Sequence, residues 1–240
     1  MNIAILLYPG VTALDIVGPY EVFNILRKFN IQLVWKEIGP VPSDGKALVL
    51  GATHTLAEVD RCDVLLIPGS STDTLTMMAD REVIQWIKKV HAHTQWTASI
   101  CSGALVLGAT GLLEGHVATT HWAAMSGLRR VGASPEPAKR IVQSDKIITA
   151  AGVSAGIDLA LHLVAKLLGP EQAWIAQLMI EYDPEPPFDS GNVSKSDASV
   201  VQEATENMKR LAIHNPKNIT SISKLLMRRW LKMVVRARRK

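Results

Sequence analysis

The 240-residue chain is 48% apolar and 20% charged, the balance of an ordinary folded protein long enough to bury a sizeable core. No apolar run reaches the ~18–20 residues that span a bilayer, and the opening MNIAILLYPGV has no basic n-region and turns early at Pro9-Gly10, which argues against a secretory signal. The net charge of +4 hides an asymmetry: the last 34 residues hold eleven lysines and arginines and no acid, so the body before them is net acidic and shows no nucleic-acid face.

Taken in chain order, NIAILLY (2–8) is a continuous apolar run closed by Pro9-Gly10, the pattern of a buried parallel strand. Residues 13–28 read as a helix, with Pro19 expected in or near its first turn. IQLVWKEI (31–38) is a second strand, and DVLLIPG (63–69) repeats the apolar strand with a Pro-Gly turn. EVIQWIKKVHAH (82–93) has the period of an amphipathic helix, QWTASI (95–100) that of a strand, and SGALVLGAT (102–110) reads as a short helix that packs closely through Gly and Ala. HVATT (116–120), IVQSD (141–145) and KIITA (146–150) follow as strands, the last two as a hairpin about Ser144-Asp145. Residues 153–169 form the longest apolar helix, stopped by Gly169-Pro170, and residues 170–182 begin another with proline first. Strands alternating with helices predict an α/β fold whose parallel sheet is covered on both faces. Ligands in such sheets gather at the carboxyl ends of the strands, where residues 7–9, 68–70 and 101 all fall.

The stretch TASICSGALVL places a lone cysteine, Cys101, on a sharp strand-to-helix turn. Such an elbow pushes a side chain out above the sheet. The helix N-terminus behind it favours a thiolate and can stabilise negative charge on a substrate. Ser102 and Gly103 are small enough for the helix to begin at once, and the Gly69-Ser70 loop is placed to add a backbone donor. A cysteine is otherwise a small core residue, and Cys62 is read that way. Asp15, between Leu14 and Ile16, is either a helix-cap or turn aspartate or an acid/base partner for Cys101. Glu21 is the competing carboxylate. His121, in ATTHWAAM, either orients or protonates the cysteine or is satisfied by the backbone at a helix start. Two cysteines without CxxC spacing suggest neither a disulfide framework nor a structural zinc site, and point to a reducing, cytoplasmic setting.

With these residues in place, the sequence resembles the DJ-1/PfpI superfamily over roughly residues 1–192. The likeness is carried by LLYPGVTALDIVGPYEVF, DVLLIPGSS, SICSGALVLGATGLLEG, VATTHWAAM, AGVSAGIDLALHLV and IEYDPEPPFDSG. Within the superfamily it is most similar to the isonitrile hydratases, and it also resembles the ligand-binding halves of AraC-type regulators. The resemblance implies a flavodoxin-like three-layer sandwich with a mainly parallel sheet, usually a homodimer, with neither metal nor organic cofactor. It matches Cys101 to the elbow nucleophile, Asp15 to the hydratases' acidic partner, and His121 to a histidine that other branches place near the cysteine. Ser102 stands where protease-like branches have histidine, and Gly69-Ser70 where the family has Gly-Gly. The chemistry implied is hydration of an isonitrile to an N-formamide, with Gly69, Ser70 and Ser102 positioning substrate or water. The alternatives are a cysteine-dependent, glyoxalase-like enzyme and a non-catalytic ligand or redox sensor whose cysteine oxidises.

Residues 193–240 read as a helical extension: an amphipathic helix at 198–212, then a basic segment ending LLMRRWLKMVVRARRK. A solvated basic face on a docked helix is the favoured reading, with anionic membrane or nucleic acid as the lesser one. The segment is too short for an AraC-type DNA-binding module of ~100 residues, which favours enzyme over regulator.

Overall fold

The structure, a computed structural model, describes residues 1–213, 218 and 220–225. The first strand, β1 (Asn2–Leu6), leads into helix α1 (Ala13–Ile25), β2 (Asn30–Trp35), a hairpin of β3 (Gly39–Pro42) and β4 (Val49–Ala52), the short β5 (His54–Thr55) and β6 (Val64–Ile67). Helices α2 (Thr74–Ala79) and α3 (Arg81–His91) precede β7 (Trp96–Ser99), which turns directly into α4 (Gly103–Ala109). After β8 (Val117–Ala118), α5 (Met125–Arg130) and β9 (Ser134–Pro135) come the hairpin β10 (Ile141–Ser144) and β11 (Ile147–Ala150), then α6 (Ala155–Leu168), α7 (Pro170–Met179) and α8 (Ala198–Ile213).

Seven strands form one sheet in the order β10-β11-β7-β6-β1-β2-β5, parallel throughout except for the antiparallel β10–β11 hairpin at one edge. The order reverses between β1 and its neighbours β2 and β6, so the carboxyl ends of β1, β6 and β7 stand side by side at a topological switch point. Ile3–Tyr8 and Val64–Ile67 are wholly inaccessible, as central parallel strands covered on both faces must be. Helices α1, α6 and α7 pack together as one layer and α2–α5 as another. The α/β sandwich expected from the sequence is the one observed.

Three local expectations change. Pro19 lies in the middle of α1, not in its first turn, and is buried against Gly156 of α6. Residues 116–120 do not extend the main sheet. Only β8 is a strand, paired with β9 in a separate small sheet, because the Thr119 N–H donates to the Thr149 side chain and not to a ladder. The hairpin β3–β4 has no counterpart among the expected elements, since its prolines, Pro40 and Pro42, suppress a strand signal. The amphipathic helix expected at 198–212 is α8, whereas most of the basic segment, including 226–240, lies outside the described residues. Among the described residues no helix is long and apolar enough to cross a membrane, and no group of His, Cys, Asp and Glu could hold a metal ion.

Candidate active site

Cys101 sits between β7 and α4 with φ of 55°, a left-handed conformation that a non-glycine residue adopts at a cost of roughly 1–2 kcal/mol. The surroundings enforce it. The Ile100 N–H donates to the Ile67 carbonyl (3.0 Å), the Cys101 N–H to the Ala151 carbonyl (2.9 Å), and the Gly103 N–H to the Ile100 carbonyl (2.9 Å). The Thr120 hydroxyl donates to the Cys101 carbonyl at 2.7 Å, so the segment after β8 clamps the elbow through a side chain. A Cβ on Gly103 would collide with the Ile67 and Pro68 backbone, and one on Gly69 would stand 2.7 Å from Ser102 N and 2.9 Å from Cys101 Cβ. The two glycines therefore let β6 and the elbow close on each other.

Asp15 comes from the first turn of α1 but does not cap that helix, whose N-cap is Thr12. Its carboxylate instead crosses to the β6 loop, where Oδ2 accepts the Gly69 N–H at 2.7 Å. The residue is fully buried, and Oδ1 has no hydrogen-bond partner among the described residues. Burial, aided by the charge of Asp44 and opposed by the Gly69 bond, pushes its pKa up to about 7. Cys101 is 6% exposed, and burial followed by the negative charge of Asp15 pushes its thiol up to about 12. The backbone N–H groups of Val153 and Ser102 and the Ser102 hydroxyl, which lie near the sulfur, work against that rise. The helix-terminus donors are present as expected, but they do not outweigh the loss of water: the resting group is a thiol, not a thiolate. Tyr8, also fully buried, donates to the Pro68 carbonyl at 3.1 Å, and burial with the neighbouring acids raises its pKa well above normal.

Ser102 Oγ is the hub of a second network. It accepts the Ser70 N–H (3.0 Å), donates to the Ser70 carbonyl (3.1 Å) and meets the Thr74 hydroxyl at 2.7 Å. The N–H groups of Gly69 and Ser70 are thus engaged by Asp15 and Ser102. In this structure the loop holds those two side chains through both donors. His121 lies beside the elbow through Thr120 and Gly152: its ring edge would meet a Cβ on Gly152 at 2.5 Å, and its Nδ1 accepts the Ala123 N–H at 3.3 Å. Burial lowers its pKa, so the ring is neutral near pH 7. None of these contacts is with the Cys101 sulfur. Glu21 is exposed, and Cys62 is a buried residue of the core far along the chain from the elbow. Residues the sequence did not single out are Tyr8, Thr74, Thr120 and Asp44. Hydroxyl residues cluster visibly at 70–74, but nothing in the one-dimensional pattern pairs them with Ser102.

The family model of DJ-1/PfpI matches residues 1–166. The chain belongs to the DJ-1/PfpI family. It is 40% identical over 204 residues to an isonitrile hydratase of Pseudomonas putida, an alignment covering 85% of this chain and 88% of that one. A THiJ/PfpI family protein from Pseudomonas syringae superimposes with a TM-score of 0.84 at 37% identity, covering 92% of this chain and 90% of that chain. The HTH-type transcriptional regulator CdhR of Pseudomonas aeruginosa is 26% identical over 174 residues, which span 70% of this chain but only 51% of the regulator.

Proposed function

We propose that the protein is an isonitrile hydratase, an enzyme that adds water to R–NC to give the N-formamide R–NH–CHO, with Cys101 as nucleophile and Asp15 as general acid/base. The observation that carries this reading is the buried Asp15 carboxylate, anchored by Gly69 and with Oδ1 unpartnered, beside an elbow cysteine. Its 40% identity to a hydratase supports the same chemistry.

An isonitrile carbon carries a lone pair and accepts both a proton and a nucleophile. The thiol proton passes by way of Asp15 Oδ1 to that carbon while sulfur bonds to it, and the product is a neutral thioimidate, R–N=CH–S–Cys101. A carboxyl group poised at about 7 can take and return this proton near neutral pH. The N–H groups of Ser102 and Val153 stabilise the charge that develops on sulfur as the proton leaves. Asp15 next takes a proton from water as the water oxygen attacks the thioimidate carbon, and passes that proton to nitrogen, giving R–NH–CH(OH)–S–Cys101. The C–S bond then breaks, the hydroxyl proton returns to sulfur by way of Asp15, and the formamide R–NH–CHO departs. One difficult addition becomes two easier ones.

A resting thiol also bears on the redox-sensor alternative, because oxidation to sulfenate proceeds through the thiolate that burial and Asp15 disfavour here. The hydratase reading requires a free Cys101 and hence a reducing setting; the homodimer implied by the family belongs to the same proposal. The test is formamide release from cyclohexyl isocyanide by the purified protein. Loss of turnover by at least about 10³-fold in Cys101→Ala is expected for a lost covalent nucleophile. Full turnover in that variant would end the mechanism. Consumption of glyoxal without formamide formation would favour the carbonyl enzyme.

A further inference from the structure

Successive peptide units at the end of β6 are each gripped at both ends. The Pro68–Gly69 peptide accepts the Tyr8 hydroxyl at its carbonyl (3.1 Å) and gives its N–H to Asp15 Oδ2 (2.7 Å). The Gly69–Ser70 peptide accepts the Thr12 N–H at its carbonyl (3.1 Å) and gives its N–H to Ser102 Oγ (3.0 Å). The first of these chains runs from a phenol, through a single amide, to the Asp15 carboxylate. Tyr8 follows β1, which pairs in parallel with β6, so the sheet itself brings it to the same strand ends. The elbow closes the peptide in: a Cβ on Gly103 would stand 2.8 Å from both the carbonyl carbon and the oxygen of Pro68. Tyr8 and Asp15 are wholly buried, so water does not replace either bond. Hydrogen bonds in series through one amide strengthen one another by about 10–30% each. The phenol is also a permanent donor. Burial, then Asp15, Cys101, Asp73 and Asp44, raise its pKa well above normal, so it keeps its proton near neutrality. At Asp15 the charge of Asp44 adds to the rise that burial causes, while the Gly69 N–H opposes it, and Asp15 in turn disfavours ionisation of Tyr8 and Cys101.

We propose that Tyr8 is a positioning residue for the reaction: its hydroxyl fixes and polarises the Pro68–Gly69 peptide, and that peptide's N–H holds the Asp15 carboxylate. The part Asp15 plays in catalysis rests on the hydratase reading; the coupling of Tyr8 to Asp15 does not. Removing the hydroxyl takes the donor from the buried Pro68 carbonyl and makes the Gly69 N–H a weaker donor to Asp15. The carboxylate loses stabilisation, so it ionises at higher pH, and turnover that needs the ionised form sets in at higher pH with it.

The experiment reads Gly69 and Asp15 directly. NMR follows the Gly69 amide proton and the Asp15 carboxyl carbon through a pH titration, with Asp15→Asn to assign the carboxyl signal. The kcat/KM for cyclohexyl isocyanide is measured over the same range. Tyr8→Phe is expected to move the Gly69 amide proton upfield and to raise the Asp15 midpoint by about half a pH unit. The acid limb of kcat/KM moves with that midpoint, and kcat falls about two- to tenfold with KM unchanged, since the phenol is wholly buried. A purely structural role would lower stability and leave the midpoint and the limb where they were. Meta-fluorotyrosine in place of Tyr8 is a more acidic and stronger donor that burial keeps protonated. It is expected to shift the amide proton, the midpoint and the limb the opposite way, and it decides the question if Tyr8→Phe fails to fold. An unmoved amide proton and midpoint, or shifts of the same sign in both variants, overturn the proposal. So does a limb that stays in place while the midpoint moves. If no isonitrile turns over while the NMR shifts appear as stated, the hydratase reading falls and the coupling of Tyr8 to Asp15 stands.

Discussion

Replacing Asp15 by asparagine should stabilise the protein at alkaline pH while removing its activity. In the unfolded chain Asp15 releases its proton near the ordinary value of 3.8, whereas in the folded site it holds the proton to about 7. Between those values the folded state binds the extra proton, so stability falls as pH rises through the window and the loss is complete above about 7. Roughly three pKa units at about 1.4 kcal/mol each place the cost of the ionised group at about 4 kcal/mol. The substituted amide retains an oxygen for the Gly69 N–H but puts an unpartnered NH₂ where Oδ1 was, which takes back about 1–2 kcal/mol. Asp15→Asn should therefore be about 2–3 kcal/mol more stable than wild type at pH 8, and no more stable below pH 4, where both states are protonated. Urea unfolding of the two proteins from pH 4 to 8.5 measures this directly. The difference between them is the relevant quantity, because His91 has the opposite slope. Burial, then Lys146 and His116, lowers its pKa to about 4, so the folded state lacks a proton that the unfolded state binds, and stability rises with pH up to about 6.5. An Asp15→Asn protein no more stable than wild type at pH 8, or a gain independent of pH, would refute the reasoning.

Gly103→Ala should be among the most damaging substitutions, because its methyl meets rigid backbone at Ile67 and Pro68. A loss of about 2–3 kcal/mol in thermal or urea unfolding is expected. Ser102→Ala leaves the buried Ser70 N–H without its acceptor, and should cost about 1–3 kcal/mol together with a fall in formamide release. His121→Ala should lower hydratase kcat/KM less than about tenfold, since its ring is engaged with Ala123, Trp122 and Gly152, while a general acid/base contributes about 10²–10⁴-fold. A loss in that higher range would assign the ring to catalysis.

The sequence by itself determined the layered α/β architecture, because central strands such as NIAILL and VLLI are buried on both faces and need an unbroken apolar run. It also marked Cys101, since a small-residue turn between a strand and a helix is a local pattern. Short or proline-bearing elements escaped it: β3 and β4 pair only with each other, and β8 depends on a partner seventeen residues away. The order of the strands, and with it the meeting of residues 15, 44, 69 and 101, was decided only in three dimensions. So was the direction in which Asp15 points, since a carboxylate in the first turn of a helix looks locally like a capping group. The ionisation of the site went the same way. Helix termini favour a thiolate, but burial beside Asp15 prevails, because the loss of water around a charge outweighs a few oriented N–H groups.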